Sequence, residues 1–204
     1  DAIGSTESEE LLPTGVREGE YYLCPKERKR PCVIDPAPYD VGGKMTMLAS
    51  FTSPILVNGE FLGIAGADLA VNFIQELLVK ADAQLYGGAG EIALIASNGR
   101  IVASTQAPEK LGEPATELLD ANELANLSSL QPGMPKYDVH VEDDPADSHI
   151  ELFLSFTIGQ TDARWVLMLV LPLDTVMADL RQLQAELATQ RDGDTLGMTL
   201  VGLR

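Results

Sequence analysis

Apolar and polar residues alternate along parts of the first half of the chain, which is the period of a β-strand with one buried face. Residues 44–55 follow this pattern, and residues 61–67 form a second such run after Asn58-Gly59. Asn-Gly is a strong signal for a two-residue hairpin turn, because both central residues need a positive φ. From about Ala70 the apolar residues recur at helical spacing until Gly87-Gly88. The pattern predicts a β-hairpin followed by a helix.

The second half of the chain repeats this plan. Residues 91–96 and 101–104 are predicted strands on either side of Asn98-Gly99, and residues 113–127 form a predicted helix. Three further strands are predicted at residues 136–141, 150–158 and 164–171, followed by a helix at residues 174–191. The chain is therefore expected to contain two consecutive units of antiparallel strands and helices.

The region before the first hairpin is less regular. Residues 1–20 are predicted to be loop, and residues 21–23 and 33–34 to be short strands around a polar loop. Residues 35–43 are rich in proline and glycine, which predicts turns and excludes a helix.

Two cysteines, Cys24 and Cys32, lie at the two ends of the polar loop. A metal site there would need two more ligands, and the two histidines of the chain are distant in sequence. A disulfide that pins the loop is one interpretation, and it would indicate an oxidising compartment. Two free thiols on adjacent strands are the alternative.

Thirty-one acidic and 14 basic residues give a net charge of −17 among 204 residues. Such a surface repels phosphate backbones, so no nucleic-acid partner is expected. No apolar run reaches the roughly 18 residues that cross a bilayer, and the first residues do not resemble a signal peptide. If the parent protein is membrane-bound, its membrane segments are expected outside this fragment.

Enzymatic signatures are not found in the sequence. It has no Gly-x-Ser-x-Gly motif, no phosphate-binding glycine loop and no histidines at metal-ligand spacing. His140 and His149 are interpreted as isolated surface residues. The sequence therefore predicts a non-enzymatic protein with no cofactor and no metal.

Four segments of the first half follow one another in a specific order. They are Tyr21-Tyr22-Leu23-Cys24-Pro25, residues 35–44, Ser53-Pro54-Ile55 and residues 61–69. In this order they resemble the double Cache sensor domains of bacterial chemoreceptors, the methyl-accepting chemotaxis proteins. The likeness extends through residues 96–102 and weakens towards the final helix.

The resemblance implies an α+β fold of two tandem PAS-like lobes, each an antiparallel sheet with flanking helices, and a C-terminal helix. It places a membrane-distal, ligand-binding lobe at residues 1–88, incomplete at its N-terminus because the family's long first helix and first strand are missing. Residues 89–173 would form a membrane-proximal lobe, and residues 174–204 a helix leading towards a transmembrane segment.

Asp68 is the main candidate for ligand binding. It ends a strand of small apolar residues before a helix, where a carboxylate can bind a protonated nitrogen or serve as the helix N-cap. The resemblance favours the ligand, because the amine-binding Asp of the family follows a Gly-x motif like Gly66-Ala67. Tyr39 stands where the family has a second acid, and Asp40 follows it.

Tyr21 and Tyr22 are expected to cover the apolar part of the ligand. Together with Arg17 they replace the Arg and Trp-Tyr cluster with which amino-acid sensors of the family hold a carboxylate, but the spacing differs and the Trp is missing. The expected ligand is therefore a small nitrogen-containing solute, namely an amine, a purine or an amino-acid-like compound.

The expected function is that of a periplasmic sensor domain of an inner-membrane chemoreceptor that works as a homodimer. Alternatives are the same domain feeding a histidine kinase or a cyclic-dinucleotide enzyme, and a freestanding periplasmic solute-binding protein. Apolar residues at heptad-like spacing in the last helix predict either a dimer seam or packing on the chain's own sheet. They are Val176, Leu180, Leu183 and Leu187.

Overall fold

The computed structural model describes residues 6–144 and 146–201, without the side chains at positions 86, 179, 180 and 190–201. The helices are α1 (Glu20–Arg28), α2 (Val71–Gln84), α3 (Ala121–Ser129) and α4 (Leu173–Val201). The strands are β1 (Cys32–Val41), β2 (Lys44–Val57), β3 (Glu60–Ala70), β4 (Glu91–Ile95), β5 (Ile101–Ser104), β6 (Lys136–His140), β7 (His149–Thr157) and β8 (Arg164–Pro172). The predicted α+β class is confirmed.

The first sheet has the order β1-β2-β3 and is antiparallel throughout. The Asn58-Gly59 turn joins β2 to β3 with φ values of 51° and 83°, as its sequence predicts. One face of this sheet lies under α1, and the other contributes Ala49 and Phe51 to a core shared with the second sheet.

The second sheet has the order β5-β4-β8-β7-β6 and is also antiparallel. Its main core surrounds Phe153, which is fully buried, and includes Ile95, Ile101 and Met168. Leucines of α3 and of the preceding segment pack against this core. The strands predicted for this half of the chain are all present.

Asp35 joins the two sheets. Its carboxylate accepts hydrogen bonds from Trp165 Nε1 of β8 at 2.9 Å and from the backbone N–H groups of Asn98 at 2.8 Å and Ser97 at 3.3 Å. Burial raises the pKa of Asp35, and these donors partly offset the effect. Asp35 therefore links β1 to the β4–β5 turn and to β8.

Three local predictions are wrong. Residues 21–23 belong to α1 rather than to a strand, and most of the segment 35–43 belongs to β1 rather than to turns. A bulge between Ile34 and Ala37 accommodates Pro36, and the edge position of β1 tolerates a missing backbone N–H. The helix predicted at residues 113–127 begins only at Ala121, because Asp120 and Glu123 form a capping box there.

The final helix, α4, begins at Leu173, close to the predicted position. Leu183 and Leu187 are 51% and 56% exposed, so they do not pack on their own sheet. The side chain of Leu180 lies outside the described residues. Dimerisation through this face remains a prediction.

Candidate functional site

Helix α1 lies across the first sheet and is joined to it covalently. Cys24 of α1 and Cys32 of β1 form a disulfide, with their Cα atoms 6.2 Å apart. Both cysteines are buried together with Ile34. The helix and the sheet face beneath it are therefore held in a fixed relation, and this face carries the candidate ligand-binding residues.

The strand register brings Tyr39 and Asp68 to the same face of the sheet. Tyr39 pairs with Thr46 of β2, and Asp68 pairs with Ser50. Thr46 and Ser50 are four positions apart on β2, so they and their partners point to one side of the sheet. Tyr21 of α1 meets the Tyr39 ring edge-to-face, with the ring centroids 6.3 Å apart. Three of the five predicted site residues therefore share one side of the sheet.

The Tyr39 hydroxyl is the buried polar group of this site. Burial, followed by the negative charge of Asp68, raises the pKa of Tyr39 to about 12, and Glu18 and Glu20 add smaller contributions. The hydroxyl oxygen has no hydrogen-bond partner among the described residues. A buried hydroxyl without a partner costs about 1–3 kcal/mol, so this group is available to a ligand.

Asp68 is exposed, and its carboxylate accepts no hydrogen bond from the described residues. It is not a helix cap. The N-cap of α2 is Ala70, and no side chain caps this helix. The N-cap interpretation of Asp68 is therefore wrong, and its carboxylate is free to meet a cation.

The structure does not bring Tyr22 and Asp40 into this group. The Tyr22 ring packs edge-to-face on Phe61 of β3, with a centroid distance of 5.4 Å. Asp40 follows Tyr39 in β1 and so points to the opposite face, where its carboxylate accepts a 2.6 Å hydrogen bond from Gly43 N in the β1–β2 turn.

Arg17 is occupied by carboxylates of its own chain. Its guanidinium donates to both oxygens of Glu27 at 3.0 Å, and its Nε donates to Glu20. These bonds, with Glu27 the larger contributor, raise the pKa of Arg17 above its usual value. Arg17 therefore offers no unpaired positive charge to a ligand carboxylate.

Two of the cavities among the described residues bear on a candidate site. A cleft of about 270 Å³ adjoins the start of α1 and is lined in part by Arg17, Glu20 and Asp35. A larger cavity of about 420 Å³ lies on the second sheet and is lined in part by Glu123, His149 and Glu151. The cavity on the second sheet could not be predicted from the sequence, because its polar residues come from separate elements.

No protein-family model matches the chain. The methyl-accepting chemotaxis protein TlpQ of Pseudomonas aeruginosa is 28% identical over 159 residues, which cover 65% of this chain and 22% of that protein. The chain thus spans about a fifth of the length of this curated relative.

Solved structures with a similar fold include sensory and ligand-binding domains of chemoreceptors. The methyl-accepting chemotaxis protein X matches with a TM-score of 0.57 and 20% identity over 75% of this chain and 54% of its own. The periplasmic sensory domain of the Campylobacter jejuni chemoreceptor Tlp1 matches with a TM-score of 0.55 and 16% identity, over 72% and 51%. The ligand-binding domain of the P. aeruginosa amino acid chemoreceptor PctB, in complex with L-Arg, matches with a TM-score of 0.53 and 16% identity, over 78% and 61%.

The fold is therefore that of a Cache-type sensor domain, as the resemblance implied. Within that class the chain is similar to the periplasmic ligand-binding domains of chemoreceptors, which agrees with the predicted extracytoplasmic location. Among the described residues no helix combines the length and apolarity that membrane crossing requires.

Proposed function

We propose that this chain is the non-enzymatic sensor domain of a chemoreceptor, and that it binds a small organic amine between α1 and the first sheet. One observation carries the proposal: the carboxylate of Asp68 and the buried hydroxyl of Tyr39, both without a hydrogen-bond partner among the described residues, lie on the same helix-covered face. A carboxylate and a hydroxyl together can accept the hydrogen bonds of a protonated nitrogen.

The charges around the site support an amine over an amino acid. Glu18, Glu20 and Asp68 all contribute negative potential at Tyr39. Arg17, which precedes α1, is paired with the carboxylates of Glu20 and Glu27. A ligand with a carboxylate would meet negative charge without a matching cation, and this costs binding free energy.

In this proposal the first sheet belongs to the membrane-distal lobe, the ligand signals through α4, and the receptor is a homodimer.

The choice of ligand class is tested with matched pairs of compounds. Phenethylamine and phenylalanine differ by one carboxylate, as do agmatine and arginine, and adenine serves as the purine probe. Thermal-shift and calorimetric titrations should show that the amine of a pair binds at least roughly tenfold more tightly than its amino acid, about 1.4 kcal/mol. Equal or tighter binding of the amino acids would contradict the amine assignment.

Replacing Asp68 with alanine should weaken binding of the best amine by roughly a hundredfold, because a charge-assisted hydrogen bond is lost. Isothermal titration calorimetry measures the change, and the melting temperature confirms folding. Asp40→Ala is the matched control: it removes an acid from the opposite face and should leave the affinity unchanged. Unchanged affinity of the folded Asp68→Ala protein would refute the site.

Tyr39→Phe separates binding from stability. Removal of the partnerless hydroxyl should leave the melting temperature unchanged or slightly higher, because no hydrogen bond within the described residues is lost. The affinity for the amine should fall by about 3–10-fold, the value of one neutral hydrogen bond. A clear loss of stability with unchanged affinity would show that the hydroxyl serves the fold.

A further inference from the structure

The two histidines of the chain form a pair. His140 ends β6 and His149 begins β7, and the hairpin register places them directly opposite each other. Their rings stack with centroids 4.7 Å apart and planes inclined by 12°. The interpretation of these histidines as isolated surface residues is therefore wrong, because the hairpin brings together residues that are nine positions apart.

A buried carboxylate faces both rings. Glu151 lies two residues after His149 on β7, so both point to the same side of the second sheet. Glu151 is only 7% exposed. Glu151 Oε2 is 3.5 Å from His140 Nε2, and Oε1 is 3.6 Å from His149 Nε2. One ligand atom from each of the three side chains lies within 4.8 Å of the others.

A backbone hydrogen bond directs the free nitrogen of His149 towards this cluster. His149 Nδ1 lies 2.9 Å from the carbonyl oxygen of Asp147, which can only accept, so Nδ1 carries the hydrogen. In the neutral ring, Nε2 then presents a lone pair towards Glu151. His140 Nε2 is buried and has no hydrogen-bond partner among the described residues. Ligand histidines in metal sites are commonly oriented by such a bond to a backbone carbonyl.

We propose that His140, His149 and Glu151 bind a divalent transition-metal ion of the zinc class. Two imidazole nitrogens and one carboxylate oxygen suit Zn²⁺, whereas Ca²⁺ and Mg²⁺ prefer oxygen ligands alone. In tetrahedral coordination at about 2.0–2.2 Å the ligand atoms lie about 3.4 Å apart, close to the two nitrogen–oxygen separations in this cluster. In the proposed site, the two imidazole nitrogens and one carboxylate oxygen, which lie within 4.8 Å of one another, converge on one ion.

The cluster opens onto the cavity of about 420 Å³ on the second sheet, which His149 and Glu151 help to line. The fourth coordination position therefore belongs to water or to a small ligand in this cavity. Glu123 also lines the cavity, but its carboxylate is engaged by the backbone N–H of Asp120. Asp138, opposite Glu151 on β6, accepts a hydrogen bond from Asn126 Nδ2 at 2.7 Å. These neighbouring acids lower the electrostatic cost of bringing a cation to the site.

The position of the cluster connects it to α4. His149 pairs with Pro172 at the end of β8, and the N–H of Leu173, the first residue of α4, donates to the Ser148 carbonyl at 2.8 Å. A metal ion bound to His140 and His149 would fix the β6–β7 hairpin next to the first turn of this helix. Metal binding would thus be sensed at a place separate from the amine site on the first sheet.

The test uses the protein without a histidine tag. Zn²⁺, at a concentration about 100-fold above its dissociation constant, should raise the melting temperature by about 5–10 °C. Ca²⁺ at the same concentration should have little effect. Co²⁺ should give the visible absorption bands of a four-coordinate ion with nitrogen ligands. A larger shift with Ca²⁺ than with Zn²⁺ would overturn the assignment in favour of a site made of carboxylates alone.

Variants locate the ion. His140→Gln, His149→Gln and Glu151→Gln should each weaken Zn²⁺ binding by at least about 100-fold, because loss of an outer partner alone costs 10–100-fold. Melting without metal shows whether each variant folds. Asp143→Asn changes an exposed acid of the β6–β7 loop and should bind Zn²⁺ as before. Asp68→Ala should also keep Zn²⁺ binding, so the two sites are tested independently. Zn²⁺ affinity that survives both histidine substitutions would overturn the proposal.

Discussion

Replacing Asp35 with alanine should lower the free energy of unfolding by about 2–4 kcal/mol, because it leaves the buried indole N–H of Trp165 without an acceptor. It also removes the hydrogen bonds from the backbone N–H groups of Ser97 and Asn98 in the exposed β4–β5 turn, which water can replace. The substitution removes the carboxylate that accepts hydrogen bonds from both β8 and the β4–β5 turn, and so weakens the contact between the two sheets. Equilibrium urea unfolding, followed by circular dichroism, measures the effect.

Two further variants make the result specific. Trp165→Phe removes one donor, and the double mutant Asp35→Ala/Trp165→Phe should lose less than the sum of the single changes, since both remove the same bond. Asp40→Ala is the control on the same strand. The exposed carboxylate of Asp40 accepts one hydrogen bond in the β1–β2 turn, so its loss should lower the free energy of unfolding by no more than about 1 kcal/mol. If Asp35→Ala and Asp40→Ala cost the same, the link between the sheets contributes little to stability.

Removal of the disulfide in the Cys24→Ala/Cys32→Ala protein should cost about 2–3 kcal/mol. The bridge joins cysteines that are 8 positions apart, and closing such a short loop restricts the unfolded chain by about this amount. Both cysteines are also about 95% buried, so the alanines retain only part of the packing. Thermal and urea unfolding, with and without dithiothreitol, measure the loss.

The reductant provides the control. Dithiothreitol should destabilise the wild-type protein to nearly the level of the alanine variant, and it should have no effect on the variant itself. Because α1 carries Tyr21 against Tyr39, the reduced protein should also bind the amine more weakly. A wild-type protein whose unfolding is insensitive to reductant would show that the bridge does not form in solution.

Most strands and the largest helices could be predicted because their signals are local. The Asn58-Gly59 turn and the change of period near Ala70 depend on neighbouring residues only. Helix α1 could not be predicted in this way, since Tyr21 and Tyr22 favour strands and Pro25 lies inside the helix. Packing on the first sheet and the bond to Cys32 stabilise it, and both are tertiary effects.

The candidate ligand site could be predicted only in part, because tertiary contacts decide which of its residues come together. Alternation along β1 places Tyr39 and Asp40 on opposite faces, but the bulge at Pro36 decides which face lies under α1. Asp68 joined Tyr39 only through the register of β2 with both neighbours. The histidine pair could have been found from the sequence, because a hairpin closing at residues 141–148 places His140 opposite His149.

Trp165 is the single tryptophan of the chain, and its indole N–H is bound to a carboxylate of the other sheet. The indole is 3% exposed, so its emission should be that of a ring shielded from water. Any movement that separates the sheets breaks this bond, admits water and shifts the emission to longer wavelength. The protein thus carries an intrinsic fluorophore at the junction of its two halves, and a ligand-induced rearrangement can be followed in real time without a label.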